Sequence, residues 1–87
     1  MQTVEILKQF VINEIAAGNG LNNLDENQSL LESGILDSLG IVKLVAFIET
    51  QFLLKIQDKQ LIPENFETIS DISRMISHAQ ASSSAIG

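Results

Sequence analysis

The stretch GILDSLGIV, Gly34 to Val42, decides how this chain is read. A short apolar run stops at Asp37-Ser38 and restarts at once with helical spacing. Asp and Ser both favour helix N-caps, where a side-chain oxygen accepts one of the first unpaired N–H groups. The pair is therefore either an ordinary cap or a serine displayed at a helix start for a purpose. The helix that follows is expected from Ser38 to Phe52.

That helix carries two apolar faces. At about 100° per residue, Ile41, Leu44, Val45, Ile48 and Phe52 share one arc, which is the expected core face. Leu39, Val42, Ala46 and Leu53 share a second, narrower arc, divided from the first by Glu49. A bundle helix needs only the first. The second either covers the loop that precedes the helix or forms an exposed strip beside Ser38 for docking partner enzymes. Phe47 fits neither arc and is read as covering a short third helix or joining the docking face.

Outward from this segment, helix signals dominate. Val4, Leu7, Val11 and Ile15 recur at three- and four-residue steps, with Ile6 and Phe10 widening the face. Thr3 is the expected cap of this first helix, and Gly18 and Gly20 its end. About twenty residues then pass without a sustained period, from Asn19 to Asp37. A loop that long in a compact domain is usually functional or disordered. Leu21, Leu24, Leu30, Leu31, Ile35 and Leu36 give this one anchors, so it reads as an ordered crossover.

Beyond the second helix, Gln51 to Gln60 reads as a helix end and polar connection with Ile56 turned inward. LLKIQ could pass for a short strand, but it lacks a partner. Pro63 opens a short helical turn at a position where its missing N–H costs nothing. Thr68 caps a last helix, with Asp71 three residues on giving a weaker capping box. Ile69, Ile72 and Ile76 form its stripe, with Met75 beside them. The interior is expected to rest on Val11, Ile48, Phe52 and Ile72. The fold class is all-α: three main helices, one short one, and a long loop between the first two. Residues 1–79 form the domain, and 80–87 read as a flexible tail.

Composition narrows the function. The chain has 87 residues, enough for one small domain with a simple core. Eleven acids against five bases give a formal charge of -6, which opposes nucleic-acid binding. No apolar run approaches the roughly 20 residues that cross a bilayer, and the N-terminus lacks signal-peptide features. The expectation is a soluble, cytoplasmic monomer with no membrane or nucleic-acid partner. There is no cysteine, so disulfides, thiolate metal sites and cysteine nucleophiles are excluded.

Serine catalysis needs a base. The single histidine, His78, lies at the end of the last helix, and there is no G-x-S-x-G elbow. Asp25, Asn27 and Ser29 match the opening of a calcium loop, but Leu30 and Leu36 stand where glycine and glutamate are required. No catalytic residue and no metal site is expected.

These residues resemble the carrier proteins of fatty-acid, polyketide and nonribosomal-peptide pathways. The resemblance spans roughly residues 4 to 79 and rests on three features. They are Asp37-Ser38-Leu39 at the start of the second helix, the long loop before it, and PENF ahead of the last helix. It implies a four-helix bundle of the acyl-carrier type, with phosphopantetheine from coenzyme A on Ser38 and cargo carried as a thioester. A phosphodiester there would sit at a helix N-terminus, which favours negative charge. By the same resemblance, Asp37 presents the serine and a magnesium ion to a phosphopantetheinyl transferase. Leu39, Val42 and Ala46 match the docking positions, with Lys43 and Phe47 as further candidates.

Two features depart from the fatty-acid pattern. Lys43 and Glu49 nearly cancel where those carriers are acidic, so partners that grip with arginine should recognise this helix poorly. Gly34 stands three residues before Asp37, a spacing that looks more like stand-alone aminoacyl carriers of the D-alanyl or prolyl type. GILDSLGIVKLV looks closest to the prolyl group. The implied partners are an adenylating enzyme and a downstream enzyme such as an acyl-thioester dehydrogenase or ketosynthase. The competing reading is a small helical adaptor with no prosthetic group, in which Ser38 only caps.

Overall fold

The computed structural model describes residues 2–16 and 23–86, with side chains through Ala81. Helix α1 spans Gln2–Phe10 and continues as a wide π-helical turn, Val11–Ile15. Helix α2 spans Ser38–Phe52, as its period predicts. Two 3₁₀ turns follow, Asp58–Gln60 and Pro63–Phe66, the second with Pro63 at its first position. Helix α3 spans Ile69–Ile86. Helical backbone thus continues into the stretch that the sequence reads as a tail. No strand occurs among the described residues, and LLKIQ lies in the connection after α2, with Leu53 at the helix C-cap.

The core joins all of these elements. Leu7 and Val11 come from the first helix, Leu44 and Ile48 from α2, and Ile69, Ile72 and Ile76 from α3; all are fully buried. The long loop contributes as much as a helix. Leu24, Leu30 and Leu36 are at most 2% exposed, whereas Leu31 and Ile35 are half-buried. Leu21, Gly18 and Gly20 lie outside the described residues.

Backbone polar groups hold the loop as well. Its described part holds an Asx turn, with the Asn27 N–H donating to Asp25 Oδ1 at 2.7 Å. The Leu30 N–H donates to the Glu67 carbonyl at 2.7 Å, and the Ser29 hydroxyl donates to the Glu67 carboxylate. The Ser70 N–H, one of the orphan donors at the start of α3, finds the Glu26 carbonyl at 3.0 Å. The next N–H, of Asp71, donates to Thr68 Oγ1 at 3.0 Å. Thr68 is therefore the cap that the sequence indicates. The Asp71 carboxylate accepts from the Thr68 hydroxyl and pairs with Arg74.

Four expectations need correction. Thr3 lies inside the first turn of α1, not before it. The first helix widens after Phe10: the Ala16 N–H reaches back five residues to the Val11 carbonyl at 2.8 Å. Phe52 is half-buried at the edge of the core; the fully buried phenylalanine is Phe66, in the short turn before α3. Phe47 does not cover that turn. It stacks on Phe10 with ring centroids 4.0 Å apart and planes 16° apart, closing α2 onto α1.

Candidate functional site

The loop delivers the chain to α2 in a fixed position. Gly34 sits at φ +80°, a left-handed conformation that glycine adopts without steric penalty, and its N–H donates to the Leu31 carbonyl. Two residues later, Leu36 is buried and its N–H donates to the Leu30 carbonyl at 2.9 Å. The chain is thus anchored one residue before the Asp-Ser pair.

Asp37 takes the cap. Its backbone is extended, its Oδ1 accepts the Gly40 N–H at 2.8 Å, and its carbonyl accepts the Ile41 N–H at 2.8 Å. Ser38 is the first helical residue. It is exposed, and its hydroxyl makes no hydrogen bond among the described residues. The capping work expected of the pair falls to the aspartate alone, which leaves the serine oxygen free.

Gly40 is a feature that sequence reasoning passed over. It is buried against the loop, and a Cβ there would meet Leu36 Cδ1 at 3.0 Å and Asp37 Oδ1 at 3.3 Å. Glycine thereby lets the loop anchor, the cap and the π-helical turn approach one another closely. Only its place in the third helical position, within reach of the cap, could have hinted at this.

On the outer face of α2, Leu39 and Val42 are each 64% exposed, and Ala46 and Lys43 are exposed too. None of them belongs to the buried core, and Leu39 and Lys43 border a pocket with Gly34 and Ile35 of the loop. Lys43 forms no ion pair among the described residues. Glu49, which divides the two faces, has a task of its own: its carboxylate accepts the Ile56 N–H at 2.8 Å and helps seat that buried side chain. Phe47, one turn beyond Lys43, is half-buried and held by its stack on Phe10. His78 is exposed on α3 with no hydrogen bond to Ser38.

The site suits a charged phosphodiester on the serine. The oxygen is accessible, and the first N–H groups of α2 at Ser38 and Leu39 remain available to an anion, since Asp37 engages only that of Gly40. A pocket bordered by Gly34, Ile35, Asp37, Leu39 and Lys43 lies at this end of α2.

A known family accounts for this arrangement. The profile of the family described as phosphopantetheine attachment site matches residues 9–76, and the chain belongs to that family. It is a carrier protein, a non-catalytic subunit whose prosthetic group is phosphopantetheine.

Solved structures agree with the fold. A chain in a structure described as that of an FAD-dependent dehydrogenase is 38% identical, with a TM-score of 0.74. The match covers 80% of this chain and 97% of that one. A chain in the Bradyrhizobium japonicum glycine:[carrier protein] ligase complexed with glycylated carrier protein is 23% identical, with a TM-score of 0.72, covering 86% and 99%. The acyl carrier protein of Thermotoga maritima is 26% identical, with a TM-score of 0.65, covering 94% of each chain. No curated protein matches the sequence. No helix among the described residues is long and apolar enough to cross a membrane.

Proposed function

We propose that Ser38 is the residue that receives phosphopantetheine, and that the carrier holds an aminoacyl cargo. One observation carries the assignment. Ser38 is exposed at the first position of α2 with its hydroxyl unengaged, because the neighbouring aspartate caps the helix. Once attached, the group supplies the thiol that the cysteine-free chain lacks, and cargo is held on it as a thioester. The chain's own contribution is positional. Leu36 and Gly40 fix the loop against the helix, Asp37 holds the first turn, and the helix N-terminus favours the phosphate charge.

The aminoacyl reading rests on the Gly34 spacing and the GILDSLGIVKLV stretch. A structural likeness to a chain solved with a glycine ligase is in keeping with it. Loading then requires an adenylating enzyme. The 38% identical chain in a structure described as an FAD-dependent dehydrogenase favours a flavin dehydrogenase as the enzyme that follows, and with it prolyl cargo. Leu39, Val42, Lys43 and Ala46 are the proposed contact strip for these enzymes.

The test is direct. Incubation with coenzyme A and a broad-specificity transferase should add one phosphopantetheine by intact mass, and Ser38→Ala should add none. Offered a panel of amino acids with its adenylating enzyme, the holo protein should load proline in preference to D-alanine and glycine. Loading of fatty acyl groups alone would reject the aminoacyl reading.

A further inference from the structure

A second surface begins one turn beyond Lys43, on the flank of α2 that meets α1. The seam between α1 and α2 opens into a groove of about 380 Å³. Its floor is apolar, made of Ile6 and the stacked rings of Phe10 and Phe47, all half-buried. Its rim is acidic: Glu5 stands toward one end and Glu14 toward the other, and no lysine or arginine among the described residues lines it. Lys8 lies 3.8 Å from Glu5 and neutralises it in part, whereas Glu14 forms no ion pair among the described residues.

Two further observations separate this groove from an ordinary seam. The π-helical turn Val11–Ile15 begins immediately after Phe10 and carries Glu14 at the groove's end. Such turns are rare, and they occur often at functional sites. The charge also differs from that of the strip formed by Leu39, Val42, Lys43 and Ala46, whose ionisable group is a lysine. Phe47 lies nine residues from Ser38, which places it about 180° around α2 and roughly 13 Å along it. An occupant of the groove therefore leaves Ser38 accessible.

We infer that the α1–α2 groove is a second docking surface, and that it takes a basic amphipathic helix of a partner protein. Two antiparallel helices with an apolar furrow between them accept a third helix through aliphatic anchors at three- and four-residue spacing. Glu5 and Glu14, nine residues apart on the first helix, suit lysine or arginine two to three turns apart on the incoming one. A second copy of this chain is disfavoured, because it would set the same carboxylates against each other. Binding here would tether the carrier to an enzyme while Ser38 works at that enzyme's site or another's.

The experiment uses the full ¹⁵N-labelled chain and a 16-residue leucine-alanine helix carrying two arginines two turns apart. Amide shifts should move and saturate at Phe10, Asn13, Phe47 and Gln51, with Leu39 and Val42 unmoved. A twin peptide with glutamate for arginine should bind about tenfold more weakly, and Glu5→Gln with Glu14→Gln should weaken the arginine peptide to a similar degree. Both carboxylates are exposed, so the double variant keeps its fold. Saturating peptide should leave phosphopantetheine addition, followed separately by mass, at its unliganded rate. Shifts centred on Leu39 and Val42, shifts spread over the whole acidic surface, or equal affinity for the two peptides would each overturn the inference. None of these results bears on the Ser38 assignment.

Discussion

The two faces of α2 are built from the same kinds of residue and meet opposite fates. Leu44 and Ile48 are wholly buried, while Leu39 and Val42 are each 64% exposed. Apolarity alone does not separate them. The difference lies in what comes to cover each face. The loop, α1 and α3 close over the Gly40, Leu44 and Ile48 side, where Leu36 and Ile15 approach to within 3.5 Å of where a Gly40 Cβ would sit. Nothing among the described residues covers the other side. An apolar strip left open beside a free hydroxyl is suited to transient partners, which must grip the carrier and then release it.

The sharpest way to break this contrast is to empty the covered face. Leu44→Ala should destabilise the domain by roughly 2–5 kcal/mol, and Phe66→Ala by roughly 3–5 kcal/mol. Either is a large share of the total stability of so small a domain, so chemical denaturation should show partial unfolding already in buffer. Phe52→Ala should cost less than Phe66→Ala, since Phe52 is only half-buried. The reverse order would invalidate the assignment of the buried face.

The ends of α2 allow finer tests. Asp37→Ala removes the cap and should cost about 1 kcal/mol, a fall in melting temperature of about 4–8 °C. At the other end, Leu53 adopts φ 54°, an unfavourable conformation for a residue with a Cβ, and is 89% exposed. Leu53→Gly relieves that strain with little packing to lose, and should raise stability by up to about 1 kcal/mol in a urea titration. On the open strip, Val42→Asp should change stability by less than about 1 kcal/mol while slowing loading by the adenylating enzyme. If Val42→Asp unfolds the domain, the strip belongs to the core; if it melts and loads like the parent, the docking role is lost.

How much of this was legible in the sequence depended on range. Where local signals sufficed, the reading held. The bounds of α2, the Thr68–Asp71 cap, the inward Ile56 and the Ile69, Ile72, Ile76 stripe all follow from spacing and capping chemistry. Where distant contacts decide, it did not. The step Val4, Leu7, Val11, Ile15 fits a regular helix, and nothing in it announces the wide turn after Phe10. Phe66 sits in a four-residue turn too short to show a period, and Phe47 finds its partner 37 positions upstream. Glu49 looked like a divider between two stripes, yet its carboxylate reaches forward to the Ile56 N–H. Which member of the Asp-Ser pair caps the helix was also beyond local reading. Leu36 and Gly40 settle it by fixing how the chain enters α2.

One pair of measurements on one variant tests whether Asp37 caps α2 and leaves Ser38 to the prosthetic group. Ser38→Ala should melt within about 0.5 kcal/mol of the parent, because Asp37 and not Ser38 holds the cap. The same sample, incubated with coenzyme A and transferase, should gain no mass while the parent gains one phosphopantetheine. A folded Ser38→Ala protein that still acquires the group would contradict the assignment, and a loss of about 1 kcal/mol or more would contradict the division of labour between the aspartate and the serine.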